Sequence, residues 1–470
     1  MKKKLIITGK LMEIIGAIGD SEGVRVYVVG GYVRDRFLGK SVKDVDFVVI
    51  GDGTAFAQKV ADRLSAGRCS VYPQFGTAMV RYRTQVLEFV GARKESYRGH
   101  TRKPSVEGAD LATDLARRDF TINAMAVSLN ADAFGQLIDP FNGQADLEQG
   151  LIRTPREPAV TFFDDPLRIL RAIRFACRLQ FQLEDATRQA LASSRERLRI
   201  ISQERITEEL WKIIGSKKPS LGFRLMDETG VLELILPEIS ALKGVEQIGR
   251  YRHKDVFDHT LKVLDNIAQV SDKGVLRWAA LYHDVAKPQT KEFKPEVGWS
   301  FHGHEELGVR MMTDIGKRLK LANEVVAYCQ KLIRLHLRPI RLAEEGVTDS
   351  AIRRLIFQAG EEMDDLITLC RADITSGNEK RVAQHLANFD IVAQRMQEVE
   401  ERDRLRRFQP PVRGDEIMAV LGLSPGPLVG KIKAAIEEAI LNGLIPNEHD
   451  AAFQYMMEIK GQIVAAPEDF

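Results

Sequence analysis

Cysteine is scarce in this chain: Cys69, Cys177, Cys329 and Cys370 are widely spaced and never form a CxxC pair. That pattern offers no disulfide framework and reads as free, mostly buried thiols in a reducing compartment. No apolar run approaches the length of a membrane span. The opening MKKKLIITGKLMEIIG has a basic start, but its apolar run is broken and no small-residue cleavage site follows. Both absences point to a cytoplasmic protein with no membrane contact. Net charge is nearly missing too, with 68 Lys+Arg against 66 Asp+Glu for a formal +2. Nucleic-acid binding therefore has no support from net charge, although a local basic surface stays open. At 470 residues, with ordinary hydrophobic content, the chain is too long for one core, and about three domains are expected.

What is present centres on VYVVGGYVRDRFLGKSVKDVDFVVI, residues 26–50. The runs Val26–Val29 and Phe47–Ile50 are rich in β-branched residues and predict short buried strands. Asp44 and Asp46, two apart on a strand, share a face and project side by side at the edge of the sheet. Two like charges so close call for a divalent cation, and oxygen ligands suit Mg²⁺, which also takes substrate phosphates. Gly30 and Gly31 let backbone N–H groups approach a triphosphate, and Arg34 can neutralise it. A helix is expected over residues 5–20, another over GDGTAFAQKVADRLSAG, and strands around Ser70–Tyr72, Thr77–Tyr82 and Gln85–Val90. Glu88 lies in VLEFVGA among apolar neighbours, where an unpaired carboxylate is expensive. It is either a further site carboxylate or a solvent-facing residue of an edge strand. Gly91 to Asp114 is polar and aperiodic, which predicts a long loop.

Further on, RRDFTINAMA offers Arg118 for phosphates, with Asp119 and Asn123 for ribose hydroxyls. In DDPLRILRAIRFA, Asp165 before Pro166 has the pattern of a helix cap. Arg168, Arg171 and Arg174 then recur on one drifting face. Residues 180–250 read as consecutive amphipathic helices. Six of the nine histidines fall between His253 and His336.

The GG…DxD order resembles the nucleotidyltransferases related to DNA polymerase β. The longer GGYVRDRFLGKSVKDVDFVV resembles the class II tRNA nucleotidyltransferase family, the CCA-adding enzymes and bacterial poly(A) polymerases. The resemblance implies that Asp44 and Asp46 hold Mg²⁺, and it makes Glu88 the best-placed third carboxylate. RKESYRGHTRKP resembles the loop of complete CCA-adding enzymes. RRDFTINAMA matches the family's second motif, and the DPF-x-G turn at residues 139–143 resembles its hinge. Asp165 and Arg168 match the (E/D)DxxR motif that hydrogen-bonds the base edge of CTP or ATP, so that the protein serves as the template. A carboxylate accepts from the exocyclic amino group that C and A share, and a guanidinium donates to a ring acceptor. Arg171 and Arg174 then take phosphate or positioning roles. Glu204, Arg205, Ile206 and Glu208 resemble a motif that braces this helix by ion pairs.

His259, His283-Asp284 and Asp373 resemble the HD phosphohydrolase pattern, with His304 and His336 as further ligand candidates and His302 a weaker one. Such ligands suit Mn²⁺, Ni²⁺, Co²⁺ or Fe²⁺ with open water positions. The resemblance implies phosphatase or 2′,3′-cyclic phosphodiesterase activity there, against a purely structural HD domain. The expected architecture is α+β: a polymerase-β-like head (1–143), an all-α neck (144–250), an HD domain (251–376) and a helical tail (377–470) that cradles tRNA or merely closes the HD domain. The expected activity is addition of C, C and A to tRNA from CTP and ATP. The alternatives are A addition alone, poly(A) synthesis, or an HD phosphohydrolase whose head only binds nucleotide or RNA.

Overall fold

The computed structural model describes residues 9–73, 76–96, 105–249, 252–295, 298–345, 348–375, 379–403 and 411–465. The chain forms two compact units, Met1–Pro237 and Glu238–Phe470. No helix of the described residues is long and apolar enough to cross a membrane. None of the four cysteines is in a disulfide, and three of them are buried.

The first unit opens with helix α1 (Lys10–Glu22), strand β1 (Val26–Val29), helix α2 (Gly31–Phe37), strand β2 (Asp44–Val49) and helix α3 (Gly53–Leu64). Strands β3 (Cys69–Tyr72), β4 (Thr77–Tyr82) and β5 (Gln85–Gly91) follow, then β6 (Arg93–Ser96) and β7 (Ser105–Gly108), helix α4 (Leu111–Ala116), and strands β8 (Ala126–Ser128) and β9 (Leu137–Ile138). Seven of these make one mixed sheet in the order β3-β4-β5-β2-β1-β8-β9. Strand β2 is its middle member, antiparallel to β1 and parallel to β5.

Alternation along β2 decides what each face does. Val45, Phe47 and Val49 turn toward α1 and α3 and join a core with Ile15, Phe56, Leu87 and Phe89. Asp44, Asp46 and Val48 take the other face, exposed at Asp44, half-buried at Asp46 and fully buried at Val48. Two expectations change here. The aspartates sit on the face of the central strand rather than at the sheet's edge. Glu88 belongs to β5, an interior strand paired on both sides, so it is no edge-strand residue.

The expected loop from Gly91 to Asp114 is also revised. Its arms β6 and β7 pair antiparallel, Arg93 opposite Gly108 and Ser96 opposite Ser105, and α4 begins at Leu111. Backbone pairing needs no side-chain periodicity, which is why the composition concealed it. Residues 97–104, most of the segment that resembles the family loop, lie outside the described residues, as do residues 5–8 of the first expected helix.

Helices complete the unit: α5 (Gly143–Gln149), α6 (Pro158–Asp164), α7 (Leu167–Leu179), α8 (Asp185–Ser194), α9 (Gln203–Ile214), α10 (Ser220–Glu228) and α11 (Val231–Ile235). In α7, Leu167, Leu170 and Ile173 are buried as their spacing predicts, but Arg168 and Arg174 are buried with them.

The second unit is mainly helical, with two short antiparallel hairpins at Glu246–Asp255 and Glu292–Ser300. The run Lys317–His336 spans two helices, His304–Arg318 and Asn323–Leu335, separated at Lys320 with φ +54°. After Glu379–Asp403, the helices Gly414–Leu421, Pro427–Leu441 and His449–Ala465 build their own core around Ile417, Ile432, Ile436 and Met456. Arg354 of the helix Asp349–Ala359 reaches Glu438 in this group.

Close approach of α1 to the sheet depends on Gly16. A Cβ there would lie 1.9 Å from the Leu129 carbonyl oxygen, a backbone atom that cannot swing aside. Gly16→Ala is expected to lower stability by about 3 kcal/mol through overpacking, read as a lower urea midpoint with an unchanged slope.

Candidate active site

Parallel register sets Asp46 directly opposite Glu88. With Asp44 they gather three carboxylates on the open face of the sheet. Burial raises the pKa of Asp46, with Asp44 adding to the rise and Arg118 opposing it. Burial likewise raises Glu88, helped by Asp46 and Asp44 and opposed by Arg93. Such carboxylates are costly to ionise together without a cation, and their all-oxygen donor set fits a hard divalent ion.

Asp46 and Glu88 line a cavity of about 580 Å³ whose wall carries nine arginines. Gly30, at φ +69°, lets Arg118 come close: a Cβ on Gly30 would lie 2.8 Å from an Arg118 Nη. Arg118 is tied to buried Asp114 at 3.2 Å, and its buried Nε has no hydrogen-bond partner among the described residues. The Arg118 guanidinium lines the cavity and offers positive charge there.

The remaining residues of the cavity are joined in a chain. Asp35 accepts two hydrogen bonds from Arg34, whose Nη1 donates to Asn123 Oδ1 at 2.7 Å. Asn123 Nδ2 donates to Asp119 at 3.0 Å, and the other Asp119 oxygen accepts from Arg171 Nε and Nη2 at 2.8 and 2.6 Å. Burial alone would raise the Asp119 carboxyl, but Arg171 and Asn123 outweigh it and hold it well below the usual range. Asp119 and Asn123, expected at ribose hydroxyls, thus already have protein partners.

Phe175 lies under three guanidinium groups, Arg174, Arg34 and Arg171, at 4.3, 5.0 and 5.7 Å from its ring centre. Arg168 donates to the carbonyls of Arg117 at 2.6 Å and Thr161 at 3.4 Å. Asp165 caps α7, one oxygen accepting from the Leu167 N–H at 3.2 Å, and its other oxygen lies 3.8 Å from Arg205. Both line the same cavity as Asp46.

In the second unit, five helix ends bring the expected histidines and aspartates together. His259 Nε2 is 2.7 Å from Asp373 Oδ1, and His283 Nε2 is 3.4 Å from the same oxygen. Asp284 Oδ2 lies 3.2 Å from His283 Nε2 and accepts from Lys287 at 2.7 Å. His304 and His336, the further candidates, place their Nε2 atoms 3.5 and 3.7 Å from Asp284 Oδ1. Burial would lower His283, but Asp284 and Asp373 push its pKa up to about 10, so that a proton stands where a cation would otherwise serve both carboxylates. The donor set of imidazole and carboxylate fits a divalent transition metal.

Three stretches match known domain families: residues 26–153 the Poly A polymerase head domain, 180–243 the probable RNA and SrmB-binding site of polymerase A, and 256–376 the HD domain. The CC-adding tRNA nucleotidyltransferase of Thermus thermophilus is 32% identical over 90% of this chain and 92% of its own length. The A-adding enzyme of Deinococcus radiodurans is 33% identical, over 73% of this chain and 78% of its own. The Multifunctional CCA protein of Nitrosococcus oceani is 35% identical, over 76% and 87%. The chain belongs to the tRNA nucleotidyltransferase and poly(A) polymerase family. A solved tRNA nucleotidyltransferase, complexed with a primer tRNA and an ATP analogue, is 26% identical with a TM-score of 0.59, covering 82% of this chain and 99% of that one.

Within this family member, sequence reasoning missed the buried partners. The brace on α7 is neither Glu204 nor Glu208, which are exposed. It is Glu209, buried 2.7 Å from Arg174 and 3.0 Å from Lys212. The signal was available, because Glu209 falls three after Ile206 and four before Ile213, on the apolar face of α9. Asp35 and Asp114 are similar cases: each reads as a surface acid in its motif and is in fact a counter-charge for a site arginine. Removing the carboxylate in Glu209→Ala leaves Arg174 buried and uncompensated. It is expected to cost about 3–5 kcal/mol in urea unfolding, against less than about 0.5 kcal/mol for Glu208→Ala.

Proposed function

We propose that the protein adds C, C and A, from CTP and ATP, to the 3′ end of tRNA without a nucleic-acid template. The observation that carries this reading is one cavity lined both by the Asp46–Glu88 pair and by Asp165 and Arg168. Transfer chemistry and base choice thereby share a wall. Asp44, Asp46 and Glu88 are the carboxylates for Mg²⁺. When bound, divalent cations supply charge at the attacking hydroxyl and at the departing pyrophosphate.

Arg118, beside Gly30, takes the triphosphate. Asp165 and Arg168 offer an acceptor and donors to the base edge that C and A share, and U or G would leave them unpaired, a discrimination of roughly 10⁴-fold. Asp119 and Asn123 hold Arg171 and Arg34 at the wall, and Arg174 braces α7 through Glu209. We assign the head to 1–143, the base-reading neck to 144–250, the HD domain to 251–376 and a tRNA-binding tail to 377–470. A cytoplasmic location follows from this activity. In the HD domain, His259, His283, Asp284 and Asp373 support a metal-dependent phosphohydrolase, in which water adds at phosphorus and the ester oxygen leaves with a proton. Lys287 stands ready to hold the phosphate charge.

Asp46→Asn is expected to lower nucleotide incorporation by at least about a thousandfold. Because one of the mutually repelling charges is gone, the variant should also melt at a higher temperature than the parent when no divalent cation is present. Full incorporation by the variant would sink the assignment of the head.

The relatives include both an A-adding and a CC-adding enzyme, so product length is the decisive observation. Three tRNA pools, lacking CCA, ending in CC, or complete, are incubated with Mg²⁺, CTP and ATP, and their 3′ ends are sequenced. CCA on the first pool with complete tRNA untouched is the expected result. A single A on the CC pool alone would mean an A-adding enzyme, and long A tails would mean a poly(A) polymerase.

A further inference from the structure

Close to the nucleotide cavity in sequence lies a small exposed surface that none of the chemistry above uses. Val160 and Phe163, three apart on α6, share a face, and both are uncovered, at 40% and 42% exposure. Arg197 and Ile200 are also three apart, on the 3₁₀ turn Arg195–Ile200, where such residues eclipse one another, and Ile200 is 47% exposed. One contact joins the two rows. The Arg197 guanidinium carbon stands 3.9 Å from the centre of the Phe163 ring, and Arg197 Nη2 donates to the Phe163 carbonyl at 3.0 Å. Phe163 does not serve the core, because Phe162 beside it is fully buried and anchors α6.

The surface is also positive. The acids next to it in sequence are already matched, Asp164 by Arg156 at 2.5 Å and Glu196 by Arg199 at 2.7 Å. Among the described residues Arg197 touches a carbonyl and a ring, and neither cancels its charge. A patch that is aromatic, apolar-edged and cationic at once suits a base carried on a phosphate backbone: the base stacks on the ring and the guanidinium meets the phosphate. An apolar partner would instead desolvate that charge with nothing to pair it.

Position decides which nucleotide fits. Asp165 follows Phe163 by two residues, which span at most about 7 Å of chain. Asp165 lines the cavity and Phe163 does not, so a nucleotide filling the cavity leaves the ring uncovered. The strand whose 3′ hydroxyl must enter that cavity passes beside it. Arg197 and Ile200 also fall in the stretch 180–243 that matches the RNA-binding family. We propose that Val160, Phe163, Arg197 and Ile200 form a stacking platform for one unpaired nucleotide at the 3′ end of the RNA acceptor, with its base on the open face of Phe163 and its phosphate on Arg197. The platform rests on the tRNA reading above and names where that strand is gripped.

The test measures binding of tRNA ending in CC to the full chain without CTP or ATP, so that no addition intervenes. Phe163→Ala is expected to bind about tenfold more weakly than the parent, within the roughly 5- to 150-fold that one stacked base is worth. Phe163→Trp should restore the affinity, whereas Phe163→Leu, which keeps apolar cover without an aromatic face, should not. The base is located by removing it. An abasic nucleotide at one of the last three positions should cost the parent the same factor and cost Phe163→Ala nothing further. With nucleotides supplied, KM for tRNA should rise in Phe163→Ala while KM for CTP and ATP stays. Independent losses at all three positions, or full rescue by Phe163→Leu, overturn the platform. Unchanged affinity in Phe163→Ala overturns it too, and gives the patch to a second copy of the chain if gel filtration shows that self-association is lost. Coupled losses in a protein that adds no nucleotide would keep the platform and sink the transferase reading, whereas CCA addition without coupling would do the reverse.

Discussion

The buried pair between Asp119 and Arg171 is the interaction on which the head depends. Asp119 comes from the segment that follows α4, and Arg171 from α7, which carries Arg168 and is capped by Asp165. A carboxylate this deeply buried is tolerable only with a bidentate guanidinium and further donors around it, which Asn123 and its own Phe120 N–H supply. Asn123 passes the constraint on to Arg34. One connected set of charges therefore fixes the distance between the carboxylates on β2 and the residues at the start of α7, and that distance determines whether a nucleotide meets both.

The same logic explains why so many arginines can line one cavity. Each one followed to its contacts is neutralised or shielded on its inner side: Arg34 by Asp35, Arg118 by Asp114, Arg174 by Glu209, with Phe175 filling the space between three of them. Guanidinium planes stack on an aromatic face as well as pairing with carboxylates, which an ammonium group does less well. The wall stays positive toward a triphosphate while its back is balanced.

How much of this could be read from the chain depended on whether a residue acts through local pattern or through a distant partner. Asp44 and Asp46 were legible because their spacing and the apolar residues between and after them state both the strand and its face. His259, His283, Asp284 and Asp373 were legible as motif fragments, and the fold brings them together. Glu88 was ambiguous because its meaning lies in the parallel register with β2, and no local pattern specifies which strands pair. The Arg93–Ser96 hairpin arm and the roles of Asp35, Asp114 and Glu209 were missed for a related reason. A buried charge looks like a surface charge until its counter-charge, far away in sequence, is known.

Each histidine of the HD cluster stands at or near the end of a helix, and three of them are steadied by the carbonyl three residues earlier. Residues from 259 to 373 meet there, so metal held by these rings closes chain loops of up to about a hundred residues. In a protein whose cysteines form no bridge, a metal bound there would be the cross-link. Its strength is set by pH and by chelators rather than by redox potential, because protons compete for the same nitrogens.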